Sequence, residues 1–219
     1  MHSLCPSRSV ARTTYALFGT PLAVLGLWIA LGMGAASPAH ATTLIAPDFS
    51  TLVGTAQRVV HGSVLSVKSA WVEQSGNRVI KTWVTILVVE DLTEPPTGDA
   101  SLVLEFLGGR VGDAEMKLEG SPRFSTDDEL VLFVSKNGID ACPLVGWGHG
   151  AYRVASDTAS GNPRILRSNG LALARTADVA LPLEGPAANH PAVLASAPLQ
   201  SALTLSAFKQ AIRAEQARK

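Results

Sequence analysis

Cysteine is nearly absent: among 219 residues only Cys5 and Cys142 carry thiols, and Cys5 falls inside an N-terminal stretch with the character of a leader. No internal disulfide can therefore staple the remaining domain, which has to hold itself together by burying apolar side chains. Aromatic residues are sparse at 5%, and neither sign of charge prevails, with 18 Lys and Arg against 18 Asp and Glu. Lacking a basic face, the chain has no surface from which a nucleic acid would release counterions, so nucleic acid is excluded as a partner. Catalytic signatures are missing too. There is no G-x-S-x-G elbow, no H-E-x-x-H helix, and no glycine-rich loop that ends in Lys-Ser/Thr. His61, His149, His190 and Cys142 do not share the close spacing of zinc ligands, and Asp127-Asp128-Glu129 lacks the alternating oxygens of a calcium loop. No metal, cofactor or enzymatic activity is predicted.

The longest uncharged run is at the N-terminus. Arg8 and Arg12 precede the apolar stretch Leu22 to Met33, and a small-residue site follows at Ala39-His40-Ala41. That order is the pattern of a secretory signal peptide over residues 1–41, and it places the mature chain in the periplasm or outside the cell. The wider uncharged stretch from Tyr15 to Ala36 is long enough to remain as an anchor, and only in that case does the chain touch a membrane. Cleavage removes two basic residues and leaves a slightly acidic chain.

Downstream, Phe49, Leu52, Val53 and Ala56 recur at helical spacing behind Asp48, which predicts a short N-terminal helix that covers an end or a face of the β-rich region after it. Strand-like runs then occupy Arg58 to Val72, Val79 to Leu92, Ser101 to Leu107, Glu129 to Ser135 and Ala151 to Ala155. Ser75-Gly76-Asn77, Pro95 to Asp99 and Asn137-Gly138 supply the turns. In the first run the apolar phase shifts from Val60 and Val64 to Leu65 and Val67, with Gly62 nearby, which predicts a bulge. Long bent strands joined by a tight hairpin, followed by shorter strands, predict a mainly β fold: a small OB-like barrel, closed or partly open, over residues 42–155. Residues 156–203 read as an extended or irregular linker with one possible short strand at Arg164 to Leu166. Residues 204–219 read as an amphipathic C-terminal helix, capped by Thr204 and stapled by Leu203 on Phe208.

Val59-Val60-His61-Gly62-Ser63-Val64, Ser69-Ala70-Trp71, the Thr85 to Glu90 run, Pro122-Arg123-Phe124 and Asp128-Glu129-Leu130-Val131-Leu132-Phe133 together carry a resemblance. Over about residues 44–154 the chain resembles a group of poorly characterised exported bacterial proteins whose layout is similar to the OB-like barrel of netrin-type and metalloproteinase-inhibitor (TIMP) domains. In those inhibitors an N-terminal cysteine chelates the protease zinc. Here the expected mature start is Thr42-Thr43, so the resemblance implies the fold and not the inhibitory residues.

Two glycine-rich strings remain. Gly108-Gly109-Arg110-Val111-Gly112 is a turn, a bulged hairpin or an anion nest, and Gly146-Trp147-Gly148-His149-Gly150 is an irregular turn or a ligand loop. An organised β core without a catalytic constellation points to a non-catalytic exported binding or interaction module. Its partner would be an unknown protein or small ligand of the cell envelope. The alternative is an inhibitor or accessory partner of a secreted protease. By analogy with OB barrels, the candidate ligand-binding residues are Trp71, Trp83 and Trp147 with Arg110 and His149, and the competing role for the three indoles is core packing.

Overall fold

In the computed structural model, which describes residues 45–156, 161–183 and 199–218, the runs rich in Val, Ile and Thr become strands flanked by two helices. The helix α1 (Phe49–Thr55) comes first. It is followed by β1 (Arg58–Gln74), β2 (Asn77–Asp91), β3 (Ser101–Leu107), β4 (Gly109–Val111), β5 (Ala114–Met116), β6 (Glu129–Val134), β7 (Ala151–Ser156), β8 (Pro163–Arg167) and α2 (Leu205–Gln216). The expected leader, residues 1–41, lies outside the described residues, as do parts of the expected linker. Among the described residues no helix is long and apolar enough to cross a membrane.

The strands form one six-stranded antiparallel sheet in the order β3-β2-β1-β6-β7-β8, and β4 and β5 pair separately. β1 and β2 join through Ser75 and Gly76, both at positive φ, the twist that suits a two-residue hairpin. The predicted break in phase is present. The β1–β2 register shifts between His61 and Gly62 and again between Val64 and Ser66. At the first shift a side chain on Gly62 would sit 2.8 Å from Ile86 and closer still to the Leu87 carbonyl, so only glycine lets the strands approach there. No ladder joins β3 to β8 among the described residues.

β6 is buried on both faces. Val131 and Phe133 enter a cluster with Leu52 and Val53 of α1 and Phe208 and Ile212 of α2, while Leu130, Leu132 and Val134 enter a second cluster with Val84, Ile86, Leu104 and Phe106 of β2 and β3. The helices thus cover one side of the sheet, and the opposite side folds over its own strands. Leu173 and Val179, from the stretch read as linker, are fully buried in the first cluster, and Thr176–Ala180 forms a 3-10 turn there. Sequence periodicity passes over these anchors because they lie in short Ala- and Leu-rich stretches with neither a helical nor a strand repeat.

Both helices have the predicted caps: Asp48 accepts from the Thr51 amide at 2.7 Å, and Thr204 from Ala207 at 3.1 Å. Phe208 packs against Tyr152 with ring centroids 5.0 Å apart, and also against Phe49 and Phe133. Alongside it runs a polar seam. Lys209 donates to Glu90 at 2.5 Å and to His61 Nδ1 at 3.0 Å, and Arg213 also bonds Glu90. Because an ammonium only donates, Nδ1 of His61 is the acceptor and Nε2 carries the proton that goes to Glu129 at 2.7 Å. Lys209 holds the Glu90 carboxyl below its ordinary pKa. Truncating a buried aromatic costs about 3–5 kcal/mol, so the apolar face with Phe208 docks α2, and the partly buried charges of Lys209 and Glu90 bond alongside it.

At the end of β2, Asp91 accepts from the Thr93 and Thr97 amides at 3.0 and 3.1 Å and from the Thr97 hydroxyl at 2.7 Å, and pairs with Arg58. Burial on its own would raise this carboxyl, but the hydrogen bonds from Thr93 and Thr97 outweigh it and lower the pKa from 3.8 to about 2. A folded pKa below the unfolded one gives stability that is present above about pH 4 and fades as pH falls toward about 2. Asp91→Asn is therefore expected to be less stable than the parent at neutral pH, with the gap closing across that acid window. Urea midpoints along the pH series measure it, and a gap that stays constant contradicts the assignment.

Candidate functional site

Paired residues in an antiparallel ladder share a face, so the register sorts the side chains of the β1–β2–β3 ribbon. Val67, Ser69 and Trp71 of β1 lie opposite Val84, Thr82 and Ile80 of β2, on the inner face that leads into the second cluster. Lys68 and Ser66 lie opposite Trp83 and Thr85 on the outer face. The inner face is apolar where the sheet folds over it and becomes polar further out, where Ser69 and Thr82 meet. The Thr82 hydroxyl donates to the Gly108 carbonyl at 2.6 Å, so its single proton is used and Ser69 Oγ is the donor across the 2.8 Å contact between them.

That bond pins the β4–β5 hairpin onto the ribbon. Gly108 N–H donates to the Ile80 carbonyl at 2.7 Å, and Gly109, at φ 133°, lies so close that a side chain would fall 2.7 Å from Ser69 Oγ and nearer still to Thr82 Oγ1. The glycine pair is thus the crossing point of the hairpin and the ribbon, and the Gly108 amide is taken up by the Ile80 carbonyl. Between the hairpin, the ribbon and the segment 117–124 a cleft of about 400 Å³ opens. Its lining is apolar at Val67, Phe106, Leu118 and Phe124 and charged at Arg110, Lys117, Arg123 and Glu115, with Lys117 paired to Glu119 at 3.1 Å. The volume falls within the range of small-ligand pockets, and its polar groups converge at the rim.

The five residues singled out from sequence do not meet in one place. Arg110 is on the cleft rim, its Nε donating to the Gly112 carbonyl at 3.2 Å. Trp71 is on the same inner face, one alternation beyond Ser69; it is 41% exposed, and the Arg78 guanidinium lies 4.9 Å above its ring. Trp83 is on the opposite face, where its indole donates to Glu105 at 3.1 Å. Trp147 opens a 3-10 turn (Trp147–Gly150) and packs against the second cluster.

His149 is buried and bonds the Val179 carbonyl at 3.1 Å, so Nδ1 carries the proton; burial pushes its pKa down, which keeps the ring uncharged. Nearby, Arg167 is 3% exposed, and its guanidinium bonds the carbonyls of Leu181 and Pro182. Both side chains fasten the segment 176–182. Cys142 is buried, and burial raises its thiol to about 12, far from a reactive thiolate.

Ser69, Thr82, Phe106, Phe124, Lys117 and Arg123 were not singled out from sequence as site residues. The one signal for them was the alternation of Val67, Ser69 and Trp71 beside a glycine pair, which marks a strand face where another backbone comes close. Comparison with protein-family models, curated proteins and solved structures finds no match for this chain.

Gly109→Ala and Gly112→Ala both place alanine at positive φ, but only the first meets neighbouring atoms. Gly112→Ala is expected to cost about 1 kcal/mol from backbone strain alone, and Gly109→Ala about 1–3 kcal/mol more as the hairpin is pushed off the ribbon. Urea unfolding compares the two, and equal losses would show that the crossing is loose.

Proposed function

We propose that this chain is an exported, non-catalytic binding module on an OB-like, partly open barrel, and that its ligand site is the cleft between the β1–β2–β3 ribbon and the β4–β5 hairpin. The observation that carries the reading is the cleft itself. In a chain with equal numbers of acids and bases, it gathers three cations and one acid around an apolar floor. OB barrels bind along the concave face of their central strands, and the inner face of β1, with Val67, Ser69 and Trp71, occupies the corresponding place. Support for the barrel comes from the segment after β6, which reaches round to β3: Ala141 accepts from the Leu107 amide at 2.8 Å, so the sheet has curled far enough for a loop to span its gap.

Export rests on the leader pattern of residues 1–41. Periplasmic extract is expected to contain the protein shortened by that leader, whereas a full-length chain confined to the cytosol removes the export reading.

A fragment screen followed by backbone amide shifts tests the site. Hits at millimolar concentration are expected to move the amides of Val67, Ser69 and Gly108 to Arg110. Hits that cluster elsewhere, or none at all, overturn the assignment of the cleft.

A further inference from the structure

Strand edges with unpaired N–H and C=O groups attract further strands, and folded chains generally cover them. Among the described residues the two outer edges of the six-stranded sheet are covered. The β3 edge is closed by Asn137, whose side-chain amide accepts from the Glu105 N–H at 3.0 Å and donates to the Val103 carbonyl at 2.7 Å, as a neighbouring strand would. The β8 edge is closed by Leu203, which accepts from Ile165 at 2.9 Å, and by the turn through Leu171, which accepts from Arg167 at 2.8 Å. The first part of β1 pairs with β6, and that pairing is prolonged as far as Val64 by its two bonds with Asp127 and Asp128, both 2.9 Å.

From Ser66 to Gln74 the covering stops. Among the described residues these nine pair with β2 alone, leaving the other side of β1 as an open edge about 30 Å long. This same stretch contributes Val67 and Ser69 to the cleft. A strand laid along it would send the side chains opposite Val67 and Ser69 toward the apolar floor, at the end of the edge nearest Arg110, Lys117 and Arg123. No proline interrupts this edge, and no side-chain amide occupies it.

We propose that the Ser66–Gln74 edge takes up an extended segment of a partner protein as an additional antiparallel or parallel strand. The segment's apolar residues that lie opposite Val67 and Ser69 enter the cleft, and an acidic residue at that end meets Arg110, Lys117 and Arg123. This rests on the cleft being the binding site and adds the class of partner and the manner of its capture, main-chain pairing for affinity and side-chain pockets for selection.

Three fluorescent nonapeptides test it with the purified exported protein. One alternates leucine and threonine between terminal glutamates; the second is the same peptide with backbone N-methyl groups on two adjacent central residues; the third has lysines in place of the glutamates. The first is expected to bind and to slow hydrogen exchange of amides within Ser66–Gln74. The N-methylated peptide, which keeps every side chain but loses a donor on each edge, is expected to bind at least about ten-fold more weakly, and the lysine peptide likewise at low salt. Combined Lys117→Glu and Arg123→Glu substitutions, at exposed positions that leave the fold intact, are expected to reverse the preference between acidic and basic peptides.

Equal binding of the N-methylated peptide, or no added protection of the edge amides, overturns main-chain capture. A dimer that protects the same amides without peptide overturns the choice of partner in favour of a second copy. Fragment hits in the cleft without peptide binding sink this inference alone, whereas the absence of both sinks the cleft as well.

Discussion

Everything in the fold is arranged around a strand that has no solvent side. Val131 and Phe133 of β6 face the two helices, Leu130, Leu132 and Val134 face the folded-over ribbon, and all five are buried. A strand apolar on both sides needs a cover on both, and this chain supplies two different ones. On one side α1 and α2 bring Leu52, Val53, Phe208 and Ile212. On the other the sheet covers itself, which requires β1 to bend, and the two register shifts around Gly62 and Leu65 provide the bend. Cys142 is the one thiol among the described residues, and no disulfide among them shares the task.

The bend has a second effect. β1 is far longer than β6, so its outer portion extends past the core and cannot be covered by the strand that covers its beginning. There the inner face changes from valine and isoleucine to Ser69 and Thr82, and the glycine pair allows a small hairpin to lie on top. The cleft is what remains between an overlong ribbon and a lid of only two short strands. The groups that would attract attention as chemistry are used elsewhere for cohesion. His149 and Arg167 hold carbonyls of the segment 176–182, His61 and Glu90 hold α2, and Cys142 fills the second core. Burial holds the His149 ring uncharged and the Cys142 thiol protonated.

Much of the fold was legible because local physics and tertiary packing agree. Asp48 and Thr204 announced helix starts, the phase change between Val64 and Leu65 announced a bulge, and Ser75-Gly76 announced a hairpin. Each is settled by contacts within a few residues or by a single alternation. The site was less legible. Arg110 was found because it stands in a glycine string, but Lys117 has no such mark, Arg123 and Phe124 were read only as part of the resemblance, and Phe124 reaches Phe106 across 18 positions of chain, with ring centroids 5.1 Å apart. His149 attracted notice for its glycine neighbours, which in the structure serve a tight turn whose Gly148 amide bonds the Gly120 carbonyl at 2.9 Å.

By itself the sequence determined that this would be a β-rich chain held by apolar burial, with a capped helix near each end of the domain, because periodicity, caps and the lack of thiols act locally or through composition alone. Only the tertiary structure decided which strand would be buried on both sides, which of the three indoles would face the cleft side, and which stretch of backbone would be left without a neighbour. Those outcomes depend on register and on which segments meet across long separations, and a one-residue change of register would exchange every inward side chain for an outward one.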